Sequence, residues 1–136
     1  AFILRDGYGI RCLKTSDIEV AIITGRSAKL LEDRAQTLGI THLYQGQSDK
    51  LLAFRELLDK LSLTADQVAY IGDDLIDWPV MAQVGLAVAV ADAHPLLTPR
   101  AHYVTRIAGG RGAVRELCDI ILLAQNKLED AKGLSI

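Results

Sequence analysis

Val68-Ala69-Tyr70-Ile71-Gly72-Asp73-Asp74-Leu75-Ile76-Asp77 is the stretch from which the rest of the sequence can be read. Val68 to Ile71 is a short apolar run and predicts a buried strand. Gly72 gives the backbone freedom to turn where the strand ends. Asp73, Asp74 and Asp77 then place three carboxylates within five positions. Clustered carboxylates repel one another unless a cation or a partner intervenes. Mg2+ suits such a cluster, because it takes hard oxygen ligands and usually keeps waters beside one or two carboxylates and a phosphate. The same residues also read as a solvated acidic turn whose aspartate caps the next helix.

Moving outward, apolar runs and helical patterns alternate at short intervals, as in βαβ units around a parallel sheet. Ile18 to Ile23 reads as a strand, and Ser27 to Leu38 as a helix with Ala28, Leu31, Ala35 and Leu38 on one stripe, stopped by Gly39. His42 to Gln45 is a short strand, and Ser48 to Leu61 an amphipathic helix with Ser48 as its N-cap. Thr64 and Asp66 mark a turn, and Pro79 sits early in a short helix that ends before Gly85. Leu86 to Val90 and His102 to Thr105 are further strands, and Ala113 to Leu128 a terminal helix. Glu129 to Ile136 reads as a loose tail, and the opening Ala1 to Leu4 as the interior of a strand. The expected fold is α/β, a three-layer Rossmann-like doubly wound parallel sheet, with 1–136 as a single domain.

Composition narrows the function classes. Half of the 136 residues are hydrophobic and 24% are charged, the profile of a compact α/β domain. A net charge of −2 gives no electrostatic reason to expect nucleic acid or an anionic membrane as partner. No apolar run approaches a membrane span, and no signal peptide is visible. Cys12 and Cys118 are the only cysteines and lack ligand spacing, so they read as two reduced, buried thiols of a cytosolic protein.

Ligands of a doubly wound sheet bind where strands run into helices. Thr24-Gly25-Arg26 closes one strand, and a hydroxyl with free backbone N–H groups at a helix start would hold phosphate. Arg26 adds a fork donor for a carboxylate or phosphate oxygen. A Thr cap with Gly in a tight turn is the plainer reading of that loop. Lys50 opens a helix, where the macrodipole disfavours a cation, and the misfit suggests pairing with a phosphate or a carboxylate. An exposed surface lysine is the alternative.

In order, a strand ending in Thr, a Lys, and a strand ending in Gly-Asp-Asp-x-x-Asp resemble motifs two, three and four of the haloacid dehalogenase superfamily. Within it, residues 5–10 (Arg-Asp-Gly-Tyr-Gly-Ile), 22–26 (Ile-Ile-Thr-Gly-Arg), 43–46 (Leu-Tyr-Gln-Gly) and 72–81 are similar to the 3-deoxy-D-manno-octulosonate 8-phosphate phosphatases. So are residues 88–95 and 109–116, and the likeness runs from Arg5 to Ile136.

The resemblance implies a capless, Mg2+-dependent phosphatase in the cytoplasm, a homotetramer in which neighbouring subunits help close the site, serving lipopolysaccharide precursor synthesis. Thr24 would bind the transferring phosphoryl group, Lys50 would neutralise charge on it and also count among the substrate contacts, and Asp73 would ligate Mg2+ with Asp77 and Asp74 in support. Arg5, Asp6, Gly7, Arg11, Gly25, Arg26 and Arg34 match substrate-binding positions, and the segment Gly109 to Arg115 and the C-terminal tail would help close a neighbouring site. One departure stands out. The family's first motif, Asp-x-Asp-Gly at the end of a strand, supplies the nucleophile, and these residues do not contain it. In Leu4-Arg5-Asp6-Gly7 a leucine stands where that aspartate belongs, so the chain reads as starting after the motif, with the N-terminal strand absent. By itself the chain is then expected to be inactive, and a silent assembly module is one alternative. A phosphatase of a nine-carbon sugar-acid 9-phosphate is another. Among the remaining residues, His94 and His102 read as structural or surface groups, Trp78 as packing beside the acidic loop, and Asp92, on a strand-end loop, as a turn residue with support of the site as the alternative.

Overall fold

The computed structural model describes residues 4–125, and their side chains from Gly7 onward. Expectations for the side chains of Arg5 and Asp6, for Ala1 to Ile3, and for the tail from 126 fall outside the described residues. The elements in order are α1 (Leu4–Thr15), β1 (Ala21–Ile23), α2 (Lys29–Thr37), β2 (His42–Tyr44), α3 (Lys50–Leu61), β3 (Ala69–Gly72), α4 (Trp78–Met81), β4 (Leu86–Ala89), β5 (Tyr103–Val104) and α5 (Ala113–Ala124). Short single-turn helices lead into β3, follow it at Leu75–Asp77, and precede β5 at Thr98–Arg100.

All the strand pairs are parallel: β1 with β2, and β3 with β4 and β4 with β5. Alternation along β1 sends Ile22 to one core and Ile23 to another, as a strand covered on both faces requires. The first core joins Ile10 and Leu13 of α1, Ala35 of α2, and Cys118 and Leu122 of α5. The second joins Phe54 of α3, Val80 and Met81 of α4, and Ala87 and Ala89 of β4. This gives the three-layer α/β arrangement. Both cysteines are buried in the first core, where they act as small apolar groups.

Between β1 and β3 the strands do not pair, and the parallel strands form a two-stranded and a three-stranded sheet. An apolar groove of about 590 Å³ separates them, walled by residues 18–23 and 67–71 and backed by α3 and α5.

Two boundaries differ from the sequence reading for identifiable reasons. Leu4 opens a helix, not a strand. Gly7 and Gly9, poor helix formers, sit in α1 because neighbours come close: Leu38 and Arg34 at Gly7, and α5 at Gly9. A Cβ at Gly9 would stand 2.7 Å from Arg115 Cδ and 2.9 Å from Cys118 Cβ. The N-cap of α3 is Asp49 and not Ser48; its Oδ1 accepts from the N–H of Leu51 at 3.1 Å and of Leu52 at 3.3 Å.

Candidate active site

Because β1, β2, β3 and β4 are parallel, their carboxyl ends share one rim, where the loops of interest gather. There lies a cavity of about 540 Å³ lined by Lys50, Gly72, Asp73, Asp77, Asp92 and Gly109, among others. Lys50 reaches it from the first turn of α3, and Asp73 and Asp77 from the turn after β3.

Asp77 is the centre of this arrangement and is only 2% exposed. Its Oδ1 accepts from Lys50 Nζ at 2.7 Å and from the Tyr70 hydroxyl at 2.7 Å. Its Oδ2 accepts from the backbone N–H of Asp73 at 3.0 Å and of Asp74 at 3.2 Å. Burial alone would push this carboxyl up, but the hydrogen bonds from Lys50, Tyr70 and Asp73 outweigh it and hold it below the usual aspartate range. Gly72 is required beside it, since a Cβ there would meet Asp77 Cβ at 2.7 Å. Lys50 is thus the partner of a buried carboxylate, which offsets its unfavourable position at a helix start.

Asp73 differs. Burial, then the charge of Asp77 and a hydrogen bond to it, raise its carboxyl above the ordinary value, and Lys50 counters only in part. Asp74 turns its carboxylate to the N–H of Leu75 at 2.7 Å, the capping role that the plainer reading allowed. Among the described residues no three Asp, Glu, His or Cys side chains converge as a metal cage. The donor set still fits one side of a Mg2+ shell. Asp73 lines the cavity beside a second carboxylate, and Mg2+ needs only one or two protein carboxylates alongside waters and phosphate oxygens.

Thr24 follows Ile23, which lines the cavity, but is not itself among the lining residues. Its Oγ1 accepts from the Arg26 N–H at 3.1 Å, and α2 begins only at Lys29. The expected helix start at this loop is therefore displaced, and Arg26 N–H is not free. The loop is instead laced to the end of β2: Thr24 N–H donates to Tyr44 O at 2.9 Å, Gln47 N–H to Thr24 O at 3.0 Å, and Ala28 N–H to Gln45 Oε1 at 2.9 Å. Gly25 and Arg26 are exposed. Arg34 approaches Gly7, where a Cβ would stand 3.4 Å from its Nη2, so these two matched positions do come together. Arg11 is exposed on α1, and neither it nor Arg34 lines the cavity.

Sequence reasoning passed over two contributors and undervalued a third. Tyr70 looked like a core residue. Asp92 read as a turn residue, yet its Oδ1 accepts from Gly109 N–H at 2.8 Å and anchors a glycine loop against the cavity. Glu116 pins the start of that loop, accepting from the Tyr103 hydroxyl at 2.6 Å, Arg106 N–H at 3.0 Å and Ile107 N–H at 3.1 Å. His102 and His94 are structural, as expected: their Nδ1 atoms accept from Ala87 N–H at 2.8 Å and Leu96 N–H at 3.1 Å. Trp78 packs in the second core with Arg100 5.6 Å above its ring.

Burial opposes the charge of Glu116, but its three donors prevail and its carboxyl lies below the ordinary value. A carboxyl depressed in the folded state adds stability above the unfolded pKa of about 4.3, and that stability is lost as pH falls through the folded value. Glu116→Gln therefore lowers the urea midpoint at pH 7, by about 0.5–1 kcal/mol in stability because water screens this carboxylate, and the deficit shrinks below about pH 4. Equal deficits at both pH values would show that the carboxylate charge is not what holds the loop.

The sequence profile of haloacid dehalogenase-like hydrolases matches residues 37–117. A 3-deoxy-D-manno-octulosonate 8-phosphate phosphatase from Yersinia pestis is 82% identical over 136 residues, which are all of this chain and 73% of that protein. The chain belongs to this phosphatase family. The Escherichia coli K12 phosphatase of the same name is 76% identical, with 72% of its length covered. The 1.95 Å crystal structure of the Yersinia pestis phosphatase superposes with a TM-score of 0.96 over the whole chain and 74% of its own. A Moraxella catarrhalis phosphatase solved in complex with magnesium, phosphate and the sugar acid is 44% identical, with a TM-score of 0.92, over 96% of this chain and 75% of that one. The motif likeness read from the sequence is borne out, and so is the α/β fold class.

Proposed function

We infer that this chain forms the phosphate-handling part of a Mg2+-dependent phosphatase that hydrolyses 3-deoxy-D-manno-octulosonate 8-phosphate to the free sugar acid and phosphate. One observation carries the reading: Lys50 and Asp73 line a single cavity at the carboxyl end of β3, organised by the buried Asp77. Family membership names the substrate.

In this reading Asp73 holds Mg2+, with Asp74 near enough in sequence to support a water. When bound, the metal lowers the charge on the phosphoryl oxygens. Asp77 is better suited to holding Lys50 than to ligation, since both its oxygens are already occupied. Lys50 offsets charge building on the equatorial oxygens in the transition state. Thr24, at the end of β1, offers its hydroxyl proton to one of those oxygens, and Gly25 and Arg26 border the same loop. The nucleophile is an aspartate of the family's first motif, on a strand that the groove between β1 and β3 accommodates. Its carboxylate would form a bond to phosphorus as the P–O bond to the sugar breaks, the sugar oxygen taking a proton from the second aspartate of that motif. Water, giving a proton back to that second aspartate, would then attack phosphorus, releasing phosphate and the free carboxylate. Arg11, Arg26 and Arg34, with Arg5, Asp6 and Gly7, would read the substrate's carboxylate and hydroxyls, and those remote from the cavity would do so across a subunit boundary. The homotetramer and the cytoplasmic setting implied by the resemblance belong to this reading, with 1–136 as one core domain. Among the described residues no helix is long and apolar enough to cross a membrane.

The test is a panel assay of phosphate release, with and without a chelator. With an upstream strand ending in Asp-x-Asp-Gly joined to the chain, turnover is expected to need Mg2+. It should also favour the eight-carbon sugar-acid phosphate over p-nitrophenyl phosphate by at least about 100-fold in kcat/KM. Equal rates on the two would defeat sugar-acid specificity, and preference for a nine-carbon 9-phosphate would reassign the substrate. The 136-residue chain alone is expected to release none, and genuine turnover by it would mean that the nucleophile lies within these residues.

A further inference from the structure

We propose that Tyr70 is a positioning residue for phosphoryl transfer: its hydroxyl fixes the Asp77 carboxylate and, through it, the direction of the Lys50 ammonium. Tyr70 lies on β3, two residues before Gly72, and lines the same cavity as Lys50 and Asp73. Its hydroxyl donates to Asp77 Oδ1 at 2.7 Å, and Lys50 Nζ donates to that same oxygen at 2.7 Å. The other oxygen is held by the backbone of Asp73 and Asp74 at 3.0 and 3.2 Å. Each carboxylate oxygen therefore has two donors, and Asp77 has no acceptor direction left over.

Sharing one oxygen has a consequence for Lys50. Two donors on Oδ1 divide its charge, so the tyrosine weakens the hold of Asp77 on the ammonium while keeping the carboxylate from rotating. Without the hydroxyl, Oδ1 has only the lysine, which would be drawn in toward Asp77. An ammonium bound more tightly to its own carboxylate has less to give a phosphoryl oxygen whose charge grows in the transition state. The loss should fall on kcat more than on KM, because ground-state substrate binding does not depend on that growth.

The proposal rests on Lys50 acting on the phosphoryl group, so Lys50→Met is run beside it. In the enzyme carrying the family's first motif, Tyr70→Phe is expected to lower kcat about 5- to 20-fold with KM changed less than about twofold. In a cycle with Asp77→Asn, the two losses should be strongly non-additive. If Asp77→Asn does not fold, a crystal structure of Tyr70→Phe serves instead, with Lys50 Nζ expected closer to or rotated about Asp77. An unchanged kcat, an unmoved Lys50, or a fall in kcat matched by a rise in KM and a lower melting temperature would each overturn the role. A wild-type kcat for Lys50→Met would instead defeat the functional reading on which it rests.

Discussion

Asp73→Asn lowers Mg2+-dependent phosphate release by at least about 1,000-fold, while the variant melts no lower than its parent. Both halves follow from the same geometry. Asp73 is exposed to the cavity and its carboxyl is raised by burial and by the nearby Asp77, so the native fold carries a like-charge conflict there. Asparagine keeps the shape and removes the repulsion, but an amide oxygen is a far poorer ligand for a hard divalent cation. Activity sacrificed without loss of stability is what a functional carboxylate should show. The measurements are phosphate release across a Mg2+ titration and a thermal melt. Turnover within tenfold of the parent would remove Asp73 from the metal site, and a melt several degrees lower would mean that its carboxylate is structural.

Lys50→Met is expected to cost both activity and stability. The ammonium is removed from a carboxylate that is 3% exposed, with the lysine side chain itself 13% exposed. Breaking a buried pair from one side leaves an uncompensated charge, a loss of about 3–5 kcal/mol. Tyr70 and the two backbone donors remain, which keeps the figure at the lower end. Turnover falls about 100- to 1,000-fold as the phosphoryl oxygens lose their cation. The pH dependence has a definite sign. Asp77 is depressed in the folded parent, so it contributes stability above the ordinary aspartate pKa of about 3.9 and loses it as pH falls through the folded value. The variant lacks the part of that stability that Lys50 supplies, the largest of the favourable contributions, so urea curves of parent and variant should draw closer in acid. A constant gap from pH 7 to pH 3 would place the cost elsewhere than in the ion pair.

The strand ends and the order of the loops were legible because they depend on local pattern. Short apolar runs closed by Gly, Thr or Asp and alternating with helical patterns point to the strands of a parallel sheet, although the opening run shows that such a run can also lead into a helix. The division of labour among Asp73, Asp74 and Asp77 was not legible, because it is decided by burial. Only the folded chain brings Lys50 and Tyr70 onto Asp77 and leaves Asp73 facing the cavity. The first helix was missed for a related reason. Gly7 and Gly9 are unfavourable in a helix taken alone, and only the approach of Arg34 and Leu38 to the first and of α5 to the second explains them. Asp49 and Ser48 are both good caps one residue apart, and sequence cannot choose between neighbours of equal quality. Asp92 was undervalued because its partner, Gly109, is 17 residues away.

The packing of α1 on α5 also bears on how the polypeptide is made. Ile10 and Leu13 find their cover in Cys118 and Leu122, more than 100 positions later. At about 5–20 residues per second of synthesis, the early helix waits roughly 5–20 s before its partner leaves the ribosome. Throughout that interval its apolar stripe is open to chaperones and to other nascent chains. A ribosome stalled before the codon for Ala113 should hold this segment accessible to protease, and completion of α5 should close it.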